Sequence, residues 1–454
     1  MNNKISISLL VAIIATSVCF SLNFFSTTFE FNGWDFFLTY AILTIVFSIP
    51  MSKIAAYTDR VAPLTRVHSD IIKKYSNTSK LKSFSLLITG VLLILMSITF
   101  FNASTYILDI FDTVPRLDRL SAPELIFNNQ NYMYAILATV AIITVSISYF
   151  ATINKINIDK IIESIVLLTI STVIILVIVI AYKTEYLTGF MSFFDNSIDF
   201  SFSKMFGMAV IYAILSNFIS ISVFKNIIKI KKDKMKNTNI NTMAFYNAIL
   251  TVIISFIICV TLYSLIDTHL PQIDNAIYLK STMIFKVLAV KAPTSYFLTE
   301  IAYLMFNLLT LLVALGYLVT ISKQFKIRLF ALAIPFGLCF ALIKGNYFFV
   351  DFCELKILHL VIIYTFLFVI FFIGWLYDAQ RFSYEMLKNT NTKVSGFFNI
   401  SIRLLIPARC VFGAVGDSCP TLALGYIMLS TLALMVIYIA KGVFFKKMFG
   451  KRRY

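Results

Sequence analysis

Charged residues in this chain gather between long apolar runs, so the polar groups inside those runs are the ones whose chemistry needs a reason. Asn23 lies in the first run, with Ser21 and Ser26, within CFSLNFFSTTFE. Ser216 and Asn217 lie midway along the sixth, within AILSNFISIS. Asn247 falls in the seventh run, and Asn307 and Thr310 in the middle of the eighth. Amide and hydroxyl oxygens are hard ligands that suit Na+ or a substrate's ammonium group. A helix that unwinds beside them adds free carbonyl and N–H groups. Each residue taken singly also fits a plainer role, bonding across a helix interface or back to its own helix. As a set in the first, sixth, seventh and eighth runs they point to a binding site.

Other ionisable groups carry less. Glu300, Asp351 and Glu354 fall at outer helix ends, where a solvated rim is the expected setting. His359 sits more than a turn inside its run, and an interface hydrogen bond is preferred there to a proton relay. His68 and His269 lie in loops. HExxH, GxSxG and Walker A patterns are absent, as is an intramembrane Asp pair. The expected function is therefore not enzymatic.

The positioning elements follow from composition. The chain has 454 residues, 59% of them hydrophobic, and a mean hydropathy of +0.87, which soluble proteins do not reach. Apolar runs predict transmembrane helices at roughly 5–30, 34–56, 83–110, 131–151, 158–182, 203–226, 243–266, 294–321, 328–343, 352–377, 397–416 and 421–442. The run Ile5–Phe20 is expected to remain as a span, because no small-residue cleavage site precedes the next one. With the N-terminus inside, most of the 39 basic residues fall in inner segments, including Lys53, Arg60, Lys73, Lys74, Lys225, Lys229, Lys231, Lys232, Lys446 and Lys447. Most of the 22 acids fall outside. Basic loops stay cytoplasmic, so both termini are expected in the cytoplasm. That placement accounts for the net charge of +17 and argues against a nucleic-acid role. The six Cys form no CxxC and read as small apolar fillers, with a Cys410–Cys419 pairing outside the membrane as the alternative.

The order of features resembles a known family. The segment Asn32-Gly33-Trp34-Asp35-Phe36-Phe37-Leu38-Thr39-Tyr40, then Ser48-Ile49-Pro50, is similar to the first-to-second helix region of the neurotransmitter:sodium symporter family. There the pattern is an Asn-Gly-Gly-Gly turn, Phe-x-x-x-Tyr and Gly-Ile-Pro, and the spacing from Tyr40 to Pro50 fits. Ser83–Leu108 resembles that family's third helix, Asn154–Ile180 its fourth loop and fifth helix, and Asp199–Lys225 the run into its sixth. Arg403-Leu404-Leu405-Ile406-Pro407 looks like its Arg-Tyr-x-x-Pro.

The resemblance implies an all-α polytopic membrane protein of about twelve transmembrane helices. It would be a 5+5 inverted repeat with broken helices 1 and 6, plus two appended helices, the three parts covering 1–182, 203–377 and 397–442. It also implies residue roles. Asn23 falls at the helix-1 Asn of the first sodium site, and Asn247 at the helix-7 Asn of that site. Ser216 or Asn217 falls near the hydroxyl that joins sodium and substrate. Thr310 matches the Thr of the second sodium site. Val18 and Asn307 complete the ion-binding set, and Glu354 matches the outer-gate acid. Phe20, Ser21, Phe24, Thr99, Ser216, Asn217 and Phe218 are expected to line the substrate, with Phe25 beside them. The chain departs from the pattern in several places. Ser26 stands where the gate Arg should be, and Thr99 where a Tyr touches the substrate carboxylate. Ala55 replaces a helix-2 Glu, Leu311 a second-site Ser, and Gln324 the inner-gate acid. Phe20-Ser21-Leu22 and Asn217-Phe218-Ile219 occupy breaks where glycines would ease unwinding.

The resulting expectation is a secondary active transporter importing an amino acid or amine, coupled to Na+ (or H+) by alternating access. It would sit in the cell inner membrane as a monomer or homodimer, with no cofactor beyond the coupling ion and no partner beyond substrate and lipid. A lipid-linked oligosaccharide flippase is the first alternative. A glycan polymerase or acyltransferase is the second, for which Phe111–Asn131, with Asp112, Arg116, Asp118, Arg119 and Glu124, is the candidate outer loop. Continuous helices 1 and 6 would favour either alternative.

Overall fold

The computed structural model describes residues 2–22, 24–60, 93, 95–104, 106–107, 110, 130–153, 156, 158–183, 191, 193–194, 202–219, 240–267, 293–325, 336–337 and 396–409. All elements among the described residues are helical. They are α1 (Asn2–Ser21), α2 (Phe24–Glu30), α3 (Gly33–Arg60), α4 (Gln130–Thr152), α5 (Ile158–Lys183), α6 (Phe202–Ile214), α7 (Ile240–Asp267), α8 (Pro293–Phe325) and α9 (Gly396–Ile400). A π-helical turn, Leu215–Ile219, continues α6, and another, Ser401–Leu405, continues α9. Residues 95–104 are also helical.

Long apolar runs have little choice of structure in lipid, because each backbone polar group must be satisfied within its own segment. Among the described residues, five stretches are long and apolar enough to cross a membrane: Gly33–Met51, Tyr134–Thr152, Lys160–Tyr182, Ala244–Ser264 and Tyr296–Gly316. Two apolar stretches are shorter, Ser8–Ser21 and Lys204–Asn217, and belong to the first and sixth expected spans. The expected spans at 83–110, 328–343, 352–377, 397–416 and 421–442 lie wholly or partly outside the described residues.

Burial orders these helices. From Val11 to Leu22 every residue is buried, so α1 is enclosed on all sides, as only a central helix can be. It packs on α7, α8, α5, α2 and the Leu215–Ile219 turn. α3 packs on α7, α6 and the same turn, whereas α8 packs on α5 and α4. α4 and α5 present exposed Ile142, Ile143, Leu167 and Ile178, a lipid-facing periphery.

The corner between α2 and α3 sets the direction of the second span. Asn32 takes a left-handed backbone with φ 60°, which Asn tolerates better than most residues. Its Nδ2 donates to Asp35 Oδ2 at 2.9 Å. Asp35 lies in the first turn of α3, where a negative charge meets the positive end of the helix dipole. At Gly33 an added Cβ would stand 2.8 Å from both Phe193 Cδ2 and the Tyr263 hydroxyl. Gly33→Ala should therefore lower stability by about 1–3 kcal/mol, the usual cost of overpacking. Thermal unfolding in detergent reads this. Gly396→Ala, which meets nothing within 4 Å, serves as the neutral control. Equal unfolding temperatures for the two variants would contradict the close approach at the corner.

Candidate functional site

The first span is discontinuous. α1 ends at Ser21, the chain turns at Leu22, and α2 begins at Phe24. The Leu22 N–H donates to the Cys19 carbonyl at 3.1 Å, closing a last tight turn. Beyond it the ladder is interrupted, and side chains from distant helices take up the released carbonyls. Tyr212 on α6 donates its hydroxyl to the Leu22 carbonyl at 2.7 Å. Asn102 donates Nδ2 to the Ser21 carbonyl at 3.4 Å. Tyr263 on α7 donates to the Thr28 carbonyl at 3.0 Å. The Tyr212 hydroxyl also pairs with Thr27 Oγ1 at 3.0 Å. The sixth span is distorted at the matching place, where α6 widens into the Leu215–Ile219 turn and packs on α1. Single π turns recur where a helix must serve a local function. Leu22, the last residue of the expected break Phe20-Ser21-Leu22, is where α1 ends, whereas Asn217-Phe218-Ile219 stay helical within the π turn.

The described site residues lie in the interior. Val18, Phe20, Ser21, Phe24, Phe25, Thr99, Ser216, Asn217, Asn247, Asn307 and Thr310 are all buried. Phe20 packs on Phe24 and Phe306 with ring centroids 5.4 Å apart in each pair, and on Tyr303 at 6.5 Å. Phe24 lies edge-on to Tyr40 at 4.8 Å and to Tyr212 at 4.9 Å. The wall is continuous and aromatic, built from α1, α2, α3, α6 and α8. Asn23, Glu354 and His359 lie outside the described residues, as do the side chain of Phe218 and the loop 111–129.

The hydrogen bonds sort the polar groups into donors already spent and acceptors left open. Ser21 Oγ donates to the Val18 carbonyl, Thr99 Oγ1 to Leu95, Ser216 Oγ to Tyr212 and Thr310 Oγ1 to Phe306. Asn307 Nδ2 donates to the Tyr303 carbonyl at 2.8 Å. Each hydroxyl proton is thus committed to its own helix, as the plainer reading allowed, while its lone pairs still face outward. Asn247 Oδ1 and Asn307 Oδ1 are buried and accept no hydrogen bond. An acceptor in that state costs about 1–3 kcal/mol, and it is the group a cation would satisfy. Asn217 is different: its Nδ2 donates to the Thr44 carbonyl at 2.9 Å, tying the π turn to α3. That bond gives Asn217 a structural tie in addition to its expected place beside the substrate.

Two expectations about ionisable and aromatic residues change. Glu300 is 1% exposed, not on a solvated rim, because it lies on the packed face of α8, whose other face carries the exposed Phe297. The interior tyrosines Tyr40, Tyr212, Tyr263 and Tyr303 were not singled out by polarity, since Tyr counts among the apolar residues. Their signal was chemical: a buried Tyr hydroxyl needs a partner, and a broken helix supplies one. Tyr40 adds a second polar patch, its hydroxyl beside Thr44, Ser216 and Ser255. Arg409 is buried too, with its guanidinium 4.4 Å over the Phe47 ring.

The fold and the site together define a multi-pass helical membrane protein whose central helix is interrupted among buried acceptor oxygens. No protein-family model matches the chain, and no curated protein does.

The two kinds of amide are separable by stability. Asn217→Leu removes the bond to Thr44 and should cost about 1–2 kcal/mol in any salt. Asn247→Leu removes an oxygen with no partner and should leave the unfolding temperature in K+ buffer unchanged or raised. Thermal unfolding of both variants checks this, and the reverse ranking would exchange their roles.

Proposed function

We propose that the protein is a secondary active transporter that imports a small solute, an amino acid or amine, coupled to Na+ (or H+) by alternating access. The observation that carries this is the interruption of α1 at Leu22, with the π turn of the sixth span packed on α1 and buried open oxygens, Asn247 and Asn307, on α7 and α8, two helices that also pack on α1. In this reading the chain has about twelve membrane helices in two inverted halves of five plus two appended, with helices 1 and 6 broken near the midplane. A flippase or a membrane enzyme has no need of such an interruption.

The mechanism follows from the residues. Oxygens of Asn247, Asn307, Thr310 and Ser216, joined by Asn23 and the carbonyl of Val18, hold the coupling ion. Phe20, Phe24, Ser21 and Thr99 border the substrate. Because the hydroxyl protons in this set are already committed, the site favours a positively charged group over a carboxylate. Two groups of helices meet at α1: α1 packs on α7 and the π turn, and α3 on α6 and α7, while α8 joins α5 and α4, with α1 packing across on α8 and α5 and α7 on α5. Rocking of the first group against the second opens the site to one side at a time.

Thermal unfolding of the purified protein in Na+ or K+, with amino acids and amines added in turn, tests the proposal. A ligand at a hundred times its Kd stabilises the fold by about 2.7 kcal/mol. The expected result is a shift with an amine or amino acid that is larger in Na+ than in K+. The variants Asn23→Leu and Asn247→Leu should insert normally, lose the Na+-dependent shift, and take up none of the stabilising solute in proteoliposomes. Normal uptake by both variants would rule out the ion site.

A further inference from the structure

The short half-helix α2 is held by side chains, not by a continuous backbone. We propose that Tyr212 and Tyr263 are positioning residues that latch α2 to the sixth and seventh helices, so that the three swing as one body. This rests on reading the first span as the moving broken helix of a transporter. α2 has seven residues, too few to persist alone, and α1 ends in a turn at Leu22 before it. Its fastenings are polar and specific. The Tyr212 hydroxyl bridges the start of α2 to its middle, donating to the Leu22 carbonyl while pairing with Thr27 Oγ1. The Tyr263 hydroxyl reaches the Thr28 carbonyl one residue further on. Ring contacts reinforce each bond: Phe24 packs edge-on to Tyr212 at 4.9 Å, and Phe25 edge-on to Tyr263 at 5.6 Å. Each latch is therefore a hydroxyl on a carbonyl with an aromatic pair beside it, one from α6 and one from α7.

On the other side of the break the contact to α8 is of a different kind. Phe20 meets Phe306 and Tyr303 through ring packing, which slides more readily than a hydrogen bond breaks. The division predicts where the molecule parts: α2 stays with α6 and α7, and the gap opens along the face of α8. Cys259 reports on it. This buried thiol lies on α7 beside Thr28 and Tyr263, behind the latch.

Hydrogen exchange read by mass spectrometry, with the protein in lipid nanodiscs, tests the latch without any substrate. In the unmodified protein, amides 24–30 should exchange together with 205–214 and 258–265 as one unit. Independent, faster opening of 24–30 would overturn the proposal even if no variant folds. Tyr212→Phe and Tyr263→Phe should each speed exchange in 24–30, and methanethiosulfonate labelling of Cys259, about fivefold, the factor carried by one hydrogen bond of ~1 kcal/mol. Exchange in α5 and α8 should not change. Thr27→Val should act like Tyr212→Phe, and Thr27→Ser should restore the slow rate. Unchanged exchange in folded Phe variants would also overturn it. Transport enters separately: a protein with the latch behaviour but no response to Na+ or solute loses the transporter reading alone.

Discussion

A carbonyl released inside a membrane has no water to turn to. Interrupting a helix there costs several kcal/mol per unmet group, so a break persists only where protein supplies the missing partners. In this chain the break between Ser21 and Phe24 meets that condition through Asn102 and Tyr212, and Tyr263 takes the Thr28 carbonyl at the far end of α2, each arriving from a different part of the sequence. The central position of α1 follows from the same need. A helix whose ladder is interrupted must be enclosed by neighbours on all sides, and α1 is buried throughout from Val11 to Leu22.

The polar economy of the site has a further consequence. Hydroxyls in helices satisfy themselves first, because the carbonyl one turn back is always within reach. Ser21, Thr99, Ser216 and Thr310 all do so. What remains is an interior rich in lone pairs, with the amide oxygens of Asn247 and Asn307 the least satisfied members. The hydroxyls of Tyr212 and Tyr263 are spent on holding the broken helix, while those of Tyr40, Thr44 and Ser255 are buried without a partner. The open amide oxygens and the residues that support the break are therefore separate groups on the same few helices.

Much of the helical framework was legible because membrane helices are dictated by apolar length. The spans expected at 34–56, 131–151, 158–182, 243–266 and 294–321 lie within α3, α4, α5, α7 and α8. The turn at Asn32-Gly33 was legible too, since few residues accept that backbone and only Gly leaves room for Phe193 and Tyr263. Glu300 was misplaced because hydropathy locates a residue along the membrane normal but not around the helix.

The sequence by itself determined that this is a helical membrane protein and which of its apolar runs hold polar residues out of character with lipid. Those properties are local: they depend on run length and on the types of neighbouring residues. Only the tertiary structure decided which polar groups are structural and which are open. Asn217 and Asn247 look alike in sequence, yet one is bound to Thr44 across 173 positions of chain and the other keeps a free oxygen. Hydrogen-bond partners in a membrane interior are set by helix packing, and packing joins residues with no relation along the chain.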